Sequence, residues 1–549
     1  MSKYLKNAAQ AVANPPQSEP LDKNQVKNSA GGYSYPVDKW VQFDRFMILG
    51  TEGGSYYATE KKLTKENLDA VAKCIEEDGI RAVNRIIEIS DAGRAPKNDP
   101  ALLALAYAAG VSKKEVRQAA LAALPRVARI GTHLFHFVDY VQEFRGWGSA
   151  LKKAVANWYE SMDADRLADQ VTKYQQRDGM SHRDLLRLSH PHFTDQKRHA
   201  TARWVLGLGL GEVRNLKDKD GNTERQYPSL GGELPNRIQG HVLLQACTNA
   251  KEAARIIRQY DTVRESVPTE LLKAPEVWEA LLEKMPMTAM IRNLGNLSKC
   301  GLVAPMSNAA REVVKKLGDV EALKKARVHP IQILIAQMTY DSGHGVRGKG
   351  EWTVVPQVTD ALDGAYYAAF DFVEPTGKRF YLGMDISGSM FGGVVAGVQG
   401  LTPAIASGAM AMVTVKTEPW FYSAGFTTGM EKISLSKKQR LDDVVRIMHN
   451  MQSRMGSTDC ALPMIDAMDK RLPVDVFAVY TDSETWYGGV HPMRALQEYR
   501  QKMGIAAKLV VVGMVGNHFT IADPNDAGTM DVVGFDTATP TLIADFARQ

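Results

Sequence analysis

Cysteine is scarce in this chain: four in 549 residues (Cys74, Cys247, Cys300 and Cys460), far apart and without CxxC spacing. That excludes a disulfide scaffold and a thiolate zinc site, and fits a reducing, cytoplasmic compartment. An excess of one charge is also lacking, since 67 Lys+Arg against 62 Asp+Glu leave only +5, too small a total to name a polyanionic partner. Long apolar runs are missing too. Residues 386–415 carry no Lys, Arg, Asp or Glu, and a bilayer takes about 20 apolar residues to cross. The run holds six glycines and Pro403, however, so a buried loop and helix of a soluble fold is expected, with no membrane attachment. The opening MSKYLKNAAQAVANPPQ has no apolar core, and no secretory leader is expected. No paired acid and base or activated nucleophile stands out, so the expectation is a binding protein, not an enzyme.

The remaining composition is globular, 44% hydrophobic and 23% charged, at a length that suits about three domains or fewer. Charge is unevenly spread. Residues 371–549 hold 16 Lys+Arg and 19 Asp+Glu, a net −3, whereas residues 1–370 hold 51 and 43, a net +8, with nine of the twelve histidines. Such asymmetry points to a nucleic-acid-facing half.

After a polar leader over 1–35, residues 36–370 read as successive amphipathic helices, as in KKEVRQAALAALPRVARI and PEVWEALLEKMPMTAMIRNLG. So long a helical stretch is more readily built from stacked helix pairs than from one bundle. From 371 to 549 the texture changes. KRFYLGMD, EPWFYSAGF, VDVFAVYTD and AKLVVVGMVG suit buried strands, and helix-like segments alternate with them. That alternation predicts an α/β doubly wound, Rossmann-like domain following the α-helical repeats.

The first strand of that domain ends in Asp385-Ile-Ser387-Gly-Ser389, and two later loops supply Thr458 and Asp482. Ligands in open parallel sheets sit beyond the carboxyl ends of the strands, and oxygen-only ligands suit a hard divalent cation such as Mg²⁺. The three loops together resemble the metal-ion-dependent adhesion site of von Willebrand factor A domains. In such a site an acidic residue from a partner completes the coordination shell. A nucleophilic-aspartate phosphatase motif is disfavoured because Ser387 stands where its second carboxylate belongs.

In the helical part, Lys173 to Arg203 is the densest cationic stretch. Ser181 and Asp184 resemble a capping box that starts a helix at His182. On it Arg183, Arg187 and His190 share one face, while Leu185 and Leu188 are expected to pack inward. Arginine forks suit phosphate, and Tyr174 and His190 can stack on unpaired bases. A solvated charged face is the competing reading. The glycines of Gly343-His-Gly-Val-Arg-Gly-Lys-Gly350 imitate a phosphate loop, but a helix-like segment precedes, strand-like EWTVV follows, and Gly350 replaces the required hydroxyl.

The blocks TKYQQRDGMSHRDLLRLSHP, ARIGTHLFHFVDYVQ, MPMTAMIRNLGNL, HPIQILIAQMTYDSGHGVRGKGEW and VEPTGKRFYLGMDISGSM occur in the order found in the Ro autoantigen family, which this chain resembles from about Tyr35 onward, in its bacterial type. The resemblance implies a TROVE ring of HEAT-like helix pairs, closed by a von Willebrand factor A domain. It also implies binding of small noncoding Y RNAs and of single-stranded 3′ ends of misfolded RNAs, in RNA quality control. A monomer within a ribonucleoprotein is implied, with polynucleotide phosphorylase or another exoribonuclease as partner. By position, Lys173 and Arg177 match RNA-contacting residues of TKYxxR, and His190 matches the histidine of RLSH. Arg126, Arg129, Thr132 and His133 belong to the RxxRIGTH block beside them, and Arg183 and Arg187 follow from the helix face. The alternative function is a metal-dependent scaffold whose A domain recruits an acidic partner.

Overall fold

A computed structural model describes residues 15–50, 60–111, 113–207, 234–345, 350–370, 374–395, 400–454 and 456–549, together with the paired strands Arg214–Lys217 and Thr223–Gln226. Among the described residues, Lys39 to Ala368 is a succession of helices with two small hairpins. Sequence signals set their ends: proline opens Pro275–Lys284, Pro330–Asp341 and Pro356–Ala368, and aspartate or asparagine side chains cap Ala164–Lys173 and Ala250–Tyr260. The helix Glu60–Ala92 is two helical segments that meet at a kink beside Gly79, where the Asp78 side chain accepts the Arg81 amide (3.0 Å). EWTVV makes one isolated bridge, Glu351 to His344, instead of a strand.

Each helix packs mainly on its near neighbours in sequence, as in a solenoid. The two ends of that array also meet. Arg327 Nε donates to the Asp91 carbonyl (2.6 Å), His329 Nε2 to that of Arg94 (3.0 Å) and Gln332 Nε2 to that of Pro96 (3.1 Å). Burial holds His329 down at about 4, so its ring is neutral and serves as a fixed donor.

The C-terminal domain carries a six-stranded sheet in the order Thr529–Val533, Lys508–Gly513, Val476–Thr481, Arg379–Asp385, Trp420–Phe426, Met430–Lys432, parallel except for the last. Strand order reverses between Arg379–Asp385 and Val476–Thr481, and Asp385 and Asp482 stand at the carboxyl ends of these two neighbours. The helix Pro403–Thr417 takes the C-terminal part of the uncharged run and is almost wholly buried. Among the described residues no helix is long and apolar enough to cross a membrane.

Two attachments join the domain to the helices. On one side Arg45 clasps Asp531 (2.7 Å) and Arg94 Nε meets Asp536 (3.0 Å); on the other Asp363 accepts the Leu441 amide (2.8 Å) and Lys416 lies over the Tyr367 ring. Breaking a buried ion pair such as Arg45–Asp531 costs about 3–5 kcal/mol, because the survivor stays buried and uncompensated. The segment read as a separate leader does not stand apart. Residues 15–36 lie on the C-terminal domain, where Tyr33–Pro36 pairs antiparallel with Phe519–Thr520 as well as with Val26–Lys27.

Candidate cation site and basic face

Asp385 is buried at its strand end. Its Oδ1 accepts the Ser387 amide (2.9 Å) and its Oδ2 accepts the Thr481 hydroxyl (2.6 Å). Ser387 and Ser389 share a hydrogen bond of 3.0 Å, and the Gly388 amide donates to Gly456 (3.1 Å), tying the first loop to the one that bears Thr458. All five expected ligands, Asp385, Ser387, Ser389, Thr458 and Asp482, are therefore buried around one switch point. Burial, then the neighbouring Asp482, raises the Asp385 carboxyl to about 7, and burial also raises Asp482. Thr458 Oγ1 and Asp482 Oδ2 are buried with no hydrogen-bond partner. Two oxygens left without donors beside paired carboxylates fit a hard cation. Asp385, Ser387, Ser389, Thr458 and Asp482 could hold it. The reading by spacing did not reach Thr481, which holds Asp385 in place, or Asn517, whose Nδ2 donates to the Asp482 carbonyl (2.6 Å).

In the helical part, the capping box forms as expected, and Ser181 and Asp184 open the helix His182–Ser189. Its buried stripe is His182, Leu185, Leu186 and Ser189, so Leu188, expected inside, is 45% exposed. The i, i+3, i+4, i+7 spacing of that stripe places Leu188 off its edge. Arg183, Arg187 and His190 are exposed, and His190 leaves the helix in a left-handed C-cap. Among the described residues neither Arg183 nor Arg187 has a carboxylate partner. Arg177 is exposed on the hairpin Gln176–Ser181 beside Asp178 (3.4 Å). Lys173, half-buried, lies 5.4 Å from the Tyr174 ring centre and lines a cavity of about 180 Å³ with Asp169 and Arg237.

The RxxRIGTH block packs against this unit at Gly131. A Cβ there would stand 2.7 Å from His182 Nε2 and 2.9 Å from Tyr174 Cβ, so only glycine permits the approach. Both arginines of the block meet protein groups. Arg126 pairs with Asp91 (2.5 Å), and Arg129 donates to the Ser90 hydroxyl (2.7 Å). Thr132 is half-buried, and His133 lies 3.4 Å from Asn98, held down at about 4 by burial and then by Arg129. His136, which the sequence reading passed over, bridges Asp99 (2.6 Å) and Asp178 (3.1 Å), linking the helices to the hairpin tip. Half of the imitation phosphate loop, 346–349, lies outside the described residues.

The TROVE domain model matches residues 26–217 and 210–351, and the Ro60 vWA domain model matches 379–547. The chain belongs to the Ro60 family. It is 40% identical over 548 residues to RNA-binding protein RO60 of Deinococcus radiodurans, covering 99% of both chains. It is 32% identical to RNA-binding protein RO60 of Caenorhabditis elegans, covering 97% of this chain and 91% of that one. The crystal structure of the Deinococcus radiodurans RO (RSR) protein superposes with a TM-score of 0.67 at 38% identity, covering 93% of this chain and 99% of the other. Membership in the Ro60 family joins the helical array and the A domain in one established architecture.

Proposed function

We propose that this Ro60-family chain is an RNA-binding ring, and that the unit from Lys173 to His190 is its basic contact face. The observation that carries the reading is the exposure of Arg177, Arg183, Arg187 and His190 on one hairpin and helix, in a family whose named relatives are RNA-binding proteins. A small structured RNA of the Y type docks there through its phosphates, and single-stranded 3′ ends of misfolded RNAs are the second class of ligand. The protein works as a monomer within a cytoplasmic ribonucleoprotein, non-enzymatically, and hands RNA to an exoribonuclease such as polynucleotide phosphorylase. The A domain holds a divalent cation, Mg²⁺, through Asp385, Ser387, Ser389, Thr458 and Asp482. When bound, that ion supplies a positive centre for an acidic group of a partner.

The test is binding of a stem–loop RNA with a single-stranded 3′ tail across a salt series. Each lost phosphate contact lowers the log–log salt slope by about 1, so Arg183→Ala with Arg187→Ala, and Lys173→Ala with Arg177→Ala, each lower it by about 2. An unchanged slope and affinity in both pairs would reject the face. One observation favours the scaffold reading. Trp486 and Tyr487, 36% and 55% exposed, sit side by side with both amides donating to the Thr458 carbonyl (3.1 Å), which offers a docking surface beside the cation ligands. Sequencing of RNA crosslinked to the native complex decides between the two, since recovery of no enriched small RNA favours the scaffold.

A further inference from the structure

The loops that bear Thr458 and Asp482 are held by side chains from the opposite end of the chain. Arg45, 1% exposed in the helix Lys39–Leu49, donates from Nη1 to the Asn517 carbonyl (2.7 Å) and Oδ1 (3.1 Å). Asn517 Nδ2 donates onward to the Asp482 carbonyl (2.6 Å). Gln17, wholly buried, donates from Nε2 to Asp459 Oδ1 (2.8 Å) and to the Val490 carbonyl (2.7 Å), while its Oε1 accepts the Thr485 hydroxyl. The Ser34 hydroxyl donates to the Ser483 carbonyl (2.9 Å), and Asn28 Nδ2 donates to that of Thr485 (2.7 Å).

Simple adhesion between two parts of a protein is served by apolar contact. Here buried polar groups end instead on the Asp482 and Ser483 carbonyls and on the Asp459 side chain, each within one residue of a ligand. Ser483, directly after Asp482, has φ of 60°, a left-handed conformation that a non-glycine residue keeps only where its surroundings over-determine it. Ser34, Asn28 and Asn517 all bond to the three residues Asp482, Ser483 and Thr485 around it. Outer partners of ligands set how well a metal is held.

We propose that the cation site is completed from outside its own domain: Arg45 acting through Asn517, and Gln17 with Ser34, are positioning residues that set the Asp482 and Thr458 loops for the ion. The proposal rests on the cation reading above. By linkage, an ion whose affinity depends on this docking also tightens the docking.

The experiment uses the full chain, with Mn²⁺ as the probe followed by electron paramagnetic resonance and displaced by Mg²⁺. Equal Mn²⁺ binding by the wild type and Asp385→Ala would reject the cation reading itself. Once site-specific binding is established, Gln17→Ala and Asn517→Ala, which leaves the Arg45–Asp531 pair intact, are each expected to weaken it about 10–100-fold. Mg²⁺ is also expected to slow backbone amide exchange over residues 39–49 in the wild type and not in either variant. Folded variants with wild-type Mn²⁺ affinity, or no effect of Mg²⁺ on exchange over 39–49, would overturn the proposal even if their melting temperatures fell. If one variant fails to fold, the other decides.

Discussion

On the helix His182–Ser189, arginines stand in solvent without carboxylate partners among the described residues, whereas beyond the strand Arg379–Asp385 two carboxylates are buried beside each other. The first arrangement costs the fold little, because water solvates every charge, and its strength comes from number. The second raises both carboxyls and is tolerable only with the proton or a cation in place, so each group matters by itself. Loss is therefore expected to be graded on the basic face and abrupt at the buried site.

The sharpest attempt to break that contrast is Asp385→Ala. It is expected to abolish Mg²⁺ binding measured by calorimetry while RNA affinity at fixed salt stays within about 2-fold, the surface charges lying in another domain. Loss of both in a folded protein would mean that the two regions act as one.

A smaller effect is expected at His136. Its bond to Asp99 raises its pKa, with further help from Asp178, so the charged latch on the hairpin is fully present below the ordinary histidine value. Its contribution fades as pH rises through the raised one. A partly exposed pair of this kind is worth about 0.5–1 kcal/mol. Wild type is expected to bind RNA a few-fold more tightly than His136→Gln at pH 6 and equally at pH 8.5, in binding titrations at constant salt. An advantage that persists unchanged at pH 8.5 would show that the hairpin is held by other contacts.

The smallest effect is expected from Ser181→Ala, which removes one cap from an eight-residue helix and costs about 1 kcal/mol, read from the urea midpoint. If RNA affinity fell as far as it does in the Arg183 and Arg187 double variant, the order of the helix, more than its charge, would set binding.

Local pattern carried much of this architecture. The four long parallel strands and the helices between them were legible because apolar runs alternate with amphipathic ones. Met430–Lys432 and Thr529–Val533 were not, being short edge strands, the latter with Asp531 in the middle to meet Arg45. Asp385, Ser387 and Ser389 announce themselves by spacing within five residues. Gln17, Arg45 and Asn517 have no such signature, because Gln17 and Arg45 have partners as far as 473 and 486 positions away, Asn517 is met by Arg45 472 positions before it, and only the folded chain brings them together. Leu188 was misplaced for the opposite reason: in a helix of eight residues, one apolar position too many leaves the buried stripe undecided until packing selects it.

The pairing of Tyr33–Pro36 with Phe519–Thr520 also sets a schedule for biosynthesis. One of the first strands made must wait for one of the last. At translation speeds of about 5–20 residues per second, the wait is on the order of 25–100 s. During that time the helices can assemble as they emerge, while Gln17, Ser34 and Arg45 remain without their destinations. The A domain then closes over the oldest part of the chain, and a nascent protein released early would carry a helical array without its fastening.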